Sequence, residues 1–152
     1  MKGTAVTLCL ALGCLMNGCA NHGKQGRPLT PEQLEAIEND LLLRLPPGTR
    51  VLAKEVAKRE LEYGYHRWLL HFPEGVSGIT PSSEVLRMTK SPDTDVDGTV
   101  RYIKAYLPRG MHLSDPMRTE AWEWESKLYE FRGYLSGTAD GDYLIIERFN
   151  QR

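Results

Sequence analysis

No cysteine lies beyond residue 19 of this 152-residue chain; the three present are Cys9, Cys14 and Cys19. Residues 20–152 therefore offer no thiol nucleophile, no disulfide and no Cys-containing metal site, so a domain there must be held by its core alone. No apolar run reaches the roughly 20 residues needed to cross a hydrocarbon core. An excess of one charge is lacking as well, with 19 basic against 20 acidic residues. That balance argues against a nucleic-acid binder, which concentrates basic side chains on one face. There is no internal repeat, no low-complexity tract, no Gly-x-Ser-x-Gly, no His-Glu-x-x-His and no glycine-rich phosphate loop. The best-marked hydrolase, metalloprotease and nucleotide-binding signatures are thereby absent.

What is present begins at the N-terminus. Lys2 precedes an uncharged stretch from Thr4 to Met16 carrying Ala5, Val6, Leu8, Leu10, Ala11, Leu12 and Leu15, and the polar segment Asn17 to Pro28 follows. A short basic region and then an apolar region of this length are the pattern of a secretory signal peptide. At its end stands Leu15-Met16-Asn17-Gly18-Cys19-Ala20, which resembles the lipobox of bacterial lipoproteins. Cys14, after Ala11-Leu12-Gly13, is a second candidate, but modification there shortens the apolar run too far. The resemblance covers these few residues only. It implies that residues 1–18 are removed, that Cys19 carries the lipid, that residues 19–29 form a flexible tether and that residues 30–152 form one domain. It also implies a membrane as partner, held durably because lipoproteins carry two or three acyl chains of the palmitate class. Ala20 stands where an Asp would retain such a protein in the inner membrane, so the expected place is the outer membrane, facing the periplasm. Loss of Lys2 with the signal leaves 18 basic against 20 acidic residues, a formal −2.

The domain reads as α+β, an N-terminal amphipathic helix packed on a four- to five-stranded, mainly antiparallel sheet that ends in a β-hairpin. Thr30-Pro31-Glu32-Gln33 is a capping box with Pro at the first helical position. Leu34, Ile37, Leu41, Leu42 and Leu45 then share one helical face, and Pro46-Pro47-Gly48 stops the helix. Val51–Lys58 carries Ala, Lys and Glu that suit a helix, but its length and neighbours favour a strand. Tyr63–Phe72 predicts a strand, central because Trp68-Leu69-Leu70 is apolar on both faces. The run Tyr63-Gly64-Tyr65-His66-Arg67-Trp68 reads as one strand with two differently dressed faces rather than a base-stacking surface. Residues 76–98 predict irregular structure with a short turn capped by Ser82/Ser83. Thr99–Leu107 predicts a strand, and Met117–Ser126 leans to a helix on the spacing of Met117, Ala121, Trp124 and Leu128. Residues 127–135 and 142–149 predict a hairpin with a long loop through Gly137–Gly141.

Several constellations bear on chemistry. Asp93, Asp95 and Asp97 before Gly98 resemble the first half of an EF-hand calcium loop. The twelfth position is Lys104, where a bidentate Glu belongs, so the competing expectation is a loop whose carboxylates bond local amides. His66 and His71 are an odd number apart and face opposite sides of a strand. His112, near Ser114 and Asp115, is not by itself a catalytic set, and His22 lies in the tether. Glu120, Glu123 and Glu125 flank Trp122 and Trp124, a pairing that serves glycan hydrolysis where two carboxylates converge. The first expectation is a non-enzymatic envelope lipoprotein without cofactor that binds another envelope protein and no nucleic acid. The second is a small-ligand or glycan binder with a groove lined by Tyr63, Tyr65, Tyr102, Trp122, Trp124 and Tyr129. The third is a small hydrolase using Glu123 or Glu125.

Overall fold

A computed structural model describes residues 26–56 and 65–151. The expected signal peptide, Cys19, His22 and Tyr63 lie outside the described residues, as does the side chain of Tyr65. The described chain is mixed α and β, with two helices, a six-stranded sheet and a two-stranded ribbon. In chain order the elements are α1 (Pro31–Leu41), β1 (Leu43–Arg44), β2 (Arg50–Val56), β3 (Tyr65–Phe72), β4 (Thr80–Pro81), β5 (Arg87–Pro92), α2 (Val96–Tyr106), β6 (Arg118–Glu125), β7 (Tyr129–Thr138) and β8 (Gly141–Asn150). The large sheet runs β2-β3-β8-β7-β6-β5, with every neighbouring pair antiparallel, while β1 pairs with β4.

Helix α1 begins as its sequence dictates. The Thr30 hydroxyl accepts from the Gln33 amide, and the Gln33 side chain accepts from the Thr30 amide. It ends four residues before Pro46, through Leu42 at φ 56°, a left-handed conformation that side chains rarely adopt. That reversal lets Leu41, Leu42 and Leu43 all be buried in succession, which neither a helix nor a strand allows alone. The Leu41 carbonyl accepts the Trp124 indole N–H at 2.9 Å, and the Asp40 carbonyl accepts from Arg148 at 3.1 Å. A cation at the last carbonyls of a helix also complements the helix dipole.

Alternation along the strands separates two faces of the sheet. The tryptophan face carries Trp68, Leu70, Phe72, Trp122, Trp124, Phe131, Leu135, Leu144 and Ile146, all buried, with Leu34 and Ile37 against them. Gly133, opposite Trp122 in the register, keeps this packing possible: a Cβ there would lie 3.2–3.3 Å from Leu144, Trp122 and Trp124. The tyrosine face carries Leu69, Tyr143 and Ile145, covered by Ile103 of α2 and by Leu113, with Val100, Tyr102, Tyr106 and Tyr134 around them.

Three expectations are corrected. Residues 99–107 are not a strand but lie mostly in α2. The β-branched Val100 and Ile103 suggest extended backbone, yet Thr99 and Ile103 are buried at helical spacing and Asp95 caps the helix by accepting the Gly98 amide. The helix leaning for Met117–Ser126 gives way to β6, where Trp122 and Trp124 alternate with Glu123 and Glu125. The short turn capped by Ser82 is present, with the Glu84 amide donating to the Ser82 hydroxyl, but from Arg87 the chain enters β5, so the sheet has six strands rather than four or five. The terminal hairpin is present, but its connection is tight: Thr138 pairs with Gly141 across Ala139-Asp140. The free edge at β5 carries Lys90 and Pro92, and the β2 edge has a register shift between Val51 and Ala53. Charge, proline and a bulge all discourage edge pairing with another chain.

Candidate functional site

Register places three polar side chains in a row across the end of the tyrosine face. Arg50 on β2 pairs with His71 on β3, and His71 pairs with Tyr143 on β8. Directly opposed residues of neighbouring strands project to the same side with Cβ atoms about 5 Å apart. Beyond the row rise two walls, the Gly110–His112 loop that follows α2 and the β7–β8 hairpin tip at Asp140. The Ser114 hydroxyl donates to the Asp140 carboxylate and joins the walls. Gly141 makes the tip fit, because a Cβ there would meet the Phe72 carbonyl at 2.5 Å while its φ is +110°. Together Arg50, His71, Pro73, Gly110, Met111, His112, Asp140 and Tyr143 line a cleft of about 460 Å³.

His71 is buried, stacks on Tyr143 with centroids 4.5 Å apart, and lies 2.9 Å through Nε2 from the Asp140 carbonyl. A carbonyl only accepts, so Nε2 carries the proton and Nδ1 is left as an acceptor. Nδ1 is buried without a hydrogen-bond partner among the described residues. Burial lowers the His71 pKa, the bond to Asp140 works against that, and the Arg50 charge lowers it further. Burial raises the Tyr143 pKa, Asp140 adds to the rise and Arg50 opposes it. The cleft thus presents a neutral imidazole and a neutral phenol between one cation and one carboxylate.

Of the other expected residues, Glu123 and Glu125 line one small cleft of about 150 Å³ with Arg87, Glu130 and Arg132, and the rest are dispersed. Asp95 caps α2, while Asp93 accepts the Thr99 hydroxyl and the Asp95 amide at 3.0 Å, as the competing loop reading expects. Asp97 lies in the first turn of α2. Among the described residues no three His, Cys, Asp or Glu side chains are grouped to hold a metal ion. His66 and His71 do lie on opposite faces, His66 stacked on Trp68 at 5.7 Å. Glu120 accepts the Trp122 indole N–H and pairs with Arg118, on the tryptophan side. Glu123 and Glu125 point the other way, and Glu125 pairs with Arg87 at 3.4 Å. The aromatic groove does not form: Trp122 and Trp124 are buried on one face and Tyr102 belongs to the other. Ser114 donates to a carboxylate rather than to His112, so the 110–115 loop carries no nucleophile–base pair.

Arg50, Asp140 and Tyr143 escape a reading of the sequence because Arg50 and His71 lie far along it from Asp140 and Tyr143. Asp140-Gly141 marks a turn, but only the register brings that turn to His71. Comparison with known protein families, curated proteins and solved structures finds no match to this chain.

Proposed function

We propose that this chain is a non-enzymatic lipoprotein of the bacterial envelope, anchored by lipid on Cys19, whose domain binds a small ligand in the His71–Tyr143 cleft. In this reading α1 is packed on the tryptophan face as a structural layer, and the working surface is the open end of the tyrosine face. One observation carries it. Arg50, His71 and Tyr143 align across three strands beneath Met111, His112 and Asp140, in a cleft of about 460 Å³. That size is within the range of roughly 300–1,000 Å³ typical of small-molecule sites, which combine an apolar lining with a few polar anchors. The exposed large apolar side chains favour protein docking less. Leu86 and Leu128 stand at the Glu125 end of β6, Met117 at its other end, and Val96 opens α2, so the four are spread over three places.

The anchor and the cleft are tested separately. Cys19→Ser should abolish incorporation of labelled palmitate and release the protein from membranes; retained label overturns the anchor. For the cleft, a small-molecule screen by thermal shift compares the full chain with Met111→Trp, which fills the site. A ligand at a hundred times its Kd stabilises by about 2.7 kcal/mol, and the variant should lose that response. Shifts that are equal in both proteins, or absent from both, overturn ligand binding.

A further inference from the structure

The tether reaches the domain at the rim of the cleft. Pro28 forms a bridge with Arg50, and the Leu29 amide donates to the Thr49 carbonyl at 3.4 Å. Arg50 is the residue paired with His71. About nine residues separate Cys19 from Pro28, and such a chain spans ~32 Å at most. A lipid on Cys19 therefore holds the cleft itself, and not merely the domain, close to the membrane surface.

The lining is matched to a ligand with two charges. Arg50 supplies a cation from the floor and Asp140 a carboxylate from one wall of the same cleft, with Pro73, Met111 and Tyr143 also in its lining. Ser114 takes only one of the roughly four acceptor positions of the Asp140 carboxylate. A purely anionic ligand meets repulsion at Asp140, and a purely cationic one meets it at Arg50. Exposed Arg27 and Arg109 flank the rim on the tether and α2 sides, and exposed Glu74 and Asp115 follow on the neighbouring turns. The surroundings therefore favour neither sign, which again suits a zwitterion.

We propose that the cleft receives the zwitterionic headgroup of a membrane phospholipid, its phosphate beside Arg50 and its ammonium on Asp140. This rests on the anchored ligand-binding reading above and names the ligand class.

The test uses the protein as extracted from its host membranes into maltoside micelles, titrated with water-soluble glycerophosphoethanolamine, glycerophosphate and ethanolamine. Binding is followed by the imidazole resonances of His71 and His112. Saturable binding of glycerophosphoethanolamine is expected, with the two fragments at least tenfold weaker. Asp140→Asn should weaken the zwitterion at least tenfold and leave glycerophosphate as tight or tighter. Ser114→Ala removes the hydroxyl bond but keeps the charge, and should retain zwitterion affinity; thermal melts confirm that each variant is folded. Equal affinity for glycerophosphate, no loss in Asp140→Asn, or no saturable binding overturns the headgroup. If Met111→Trp still abolishes thermal shifts by other compounds, ligand binding stands and only the headgroup falls. If mass spectrometry finds Cys19 unacylated, the anchor falls and takes the membrane source with it.

Discussion

The two faces of the sheet are made by the same strands and held by different chemistry. On the tryptophan face, Trp68, Trp122, Trp124 and Phe131 are each 2 % exposed or less, and the Trp124 ring lies parallel to Phe131 at 4.9 Å. On the tyrosine face, a charged residue interrupts the apolar packing. Arg67 pairs with Glu55 at 2.8 Å and with Glu147 at 3.1 Å, and its guanidinium lies 4.3 Å from the Tyr106 ring centre. The Tyr106 hydroxyl accepts a hydrogen bond from the Arg67 guanidinium, and the Tyr102 hydroxyl donates to Glu147. Close packing closes the first face. On the second, apolar packing around Ile103 is joined by the Arg67–Glu147 ion pair and the bonds of Tyr102 and Tyr106, and where α2 gives way to the Gly110–His112 loop a cleft remains. A ligand site arises here where continuous packing ends.

The strongest way to break the comparison is at Trp124. Trp124→Ala removes a buried indole, its stack on Phe131 and its bond to the Leu41 carbonyl. The expected loss is about 3–5 kcal/mol, read from urea denaturation. Glu147→Gln on the other face should cost less, about 1.5–3 kcal/mol, the range for hydrogen bonds to charged groups. Burial pushes the Tyr102 hydroxyl well above the usual tyrosine range, and the hydrogen bond to Glu147 adds to it. Glu147→Gln should therefore also let Tyr102 ionise at lower pH, visible by ultraviolet absorbance in alkaline titration. If the two variants lose the same stability and Tyr102 does not move, the distinction between the faces is wrong.

The same contrast decides what was legible in the sequence. Features written within a few residues were readable. Thr30 and Gln33 announce their capping box, the odd spacing of His66 and His71 sends them to opposite faces, and the last hairpin follows from its turn residues. Features that depend on a partner far along the chain were not. Met117, Ala121, Trp124 and Leu128 fit a helical spacing while Trp122 and Trp124 alternate as in a strand, and only the strands on either side select the second. Asp93 and Asp95 carry one local signal, oxygen acceptors ahead of Gly98, which serves a helix cap as well as a cation loop. Val100 and Ile103 favour extended backbone by side-chain shape, yet the cap and the apolar face of Tyr143 and Ile145 impose a helix. The cleft is the extreme case, since Arg50, His71, Asp140 and Tyr143 come from three strands and a turn, and their meeting is a consequence of register alone.

The smallest expected effect distinguishes the faces by pH. Burial lowers the pKa of His71 on the tyrosine face and of His66 on the tryptophan face, and for both the folded value lies below the ordinary 6.5 of histidine. The unfolded chain therefore takes up a proton near pH 6.5 that the folded chain declines. Stability from each histidine is complete above that pH, falls as the solution is acidified through it, and stops falling once the folded group also protonates. His71 is buried beneath Tyr143 whereas His66 is only partly covered, so His71 should account for more of the slope. Urea midpoints between pH 7.5 and 5 should decline less steeply in His71→Gln than in the parent, with a smaller flattening in His66→Gln. A parent protein that gains stability on acidification over this window, or a steeper flattening in His66→Gln, would show that the imidazole at the floor of the cleft is not the more strongly desolvated of the two.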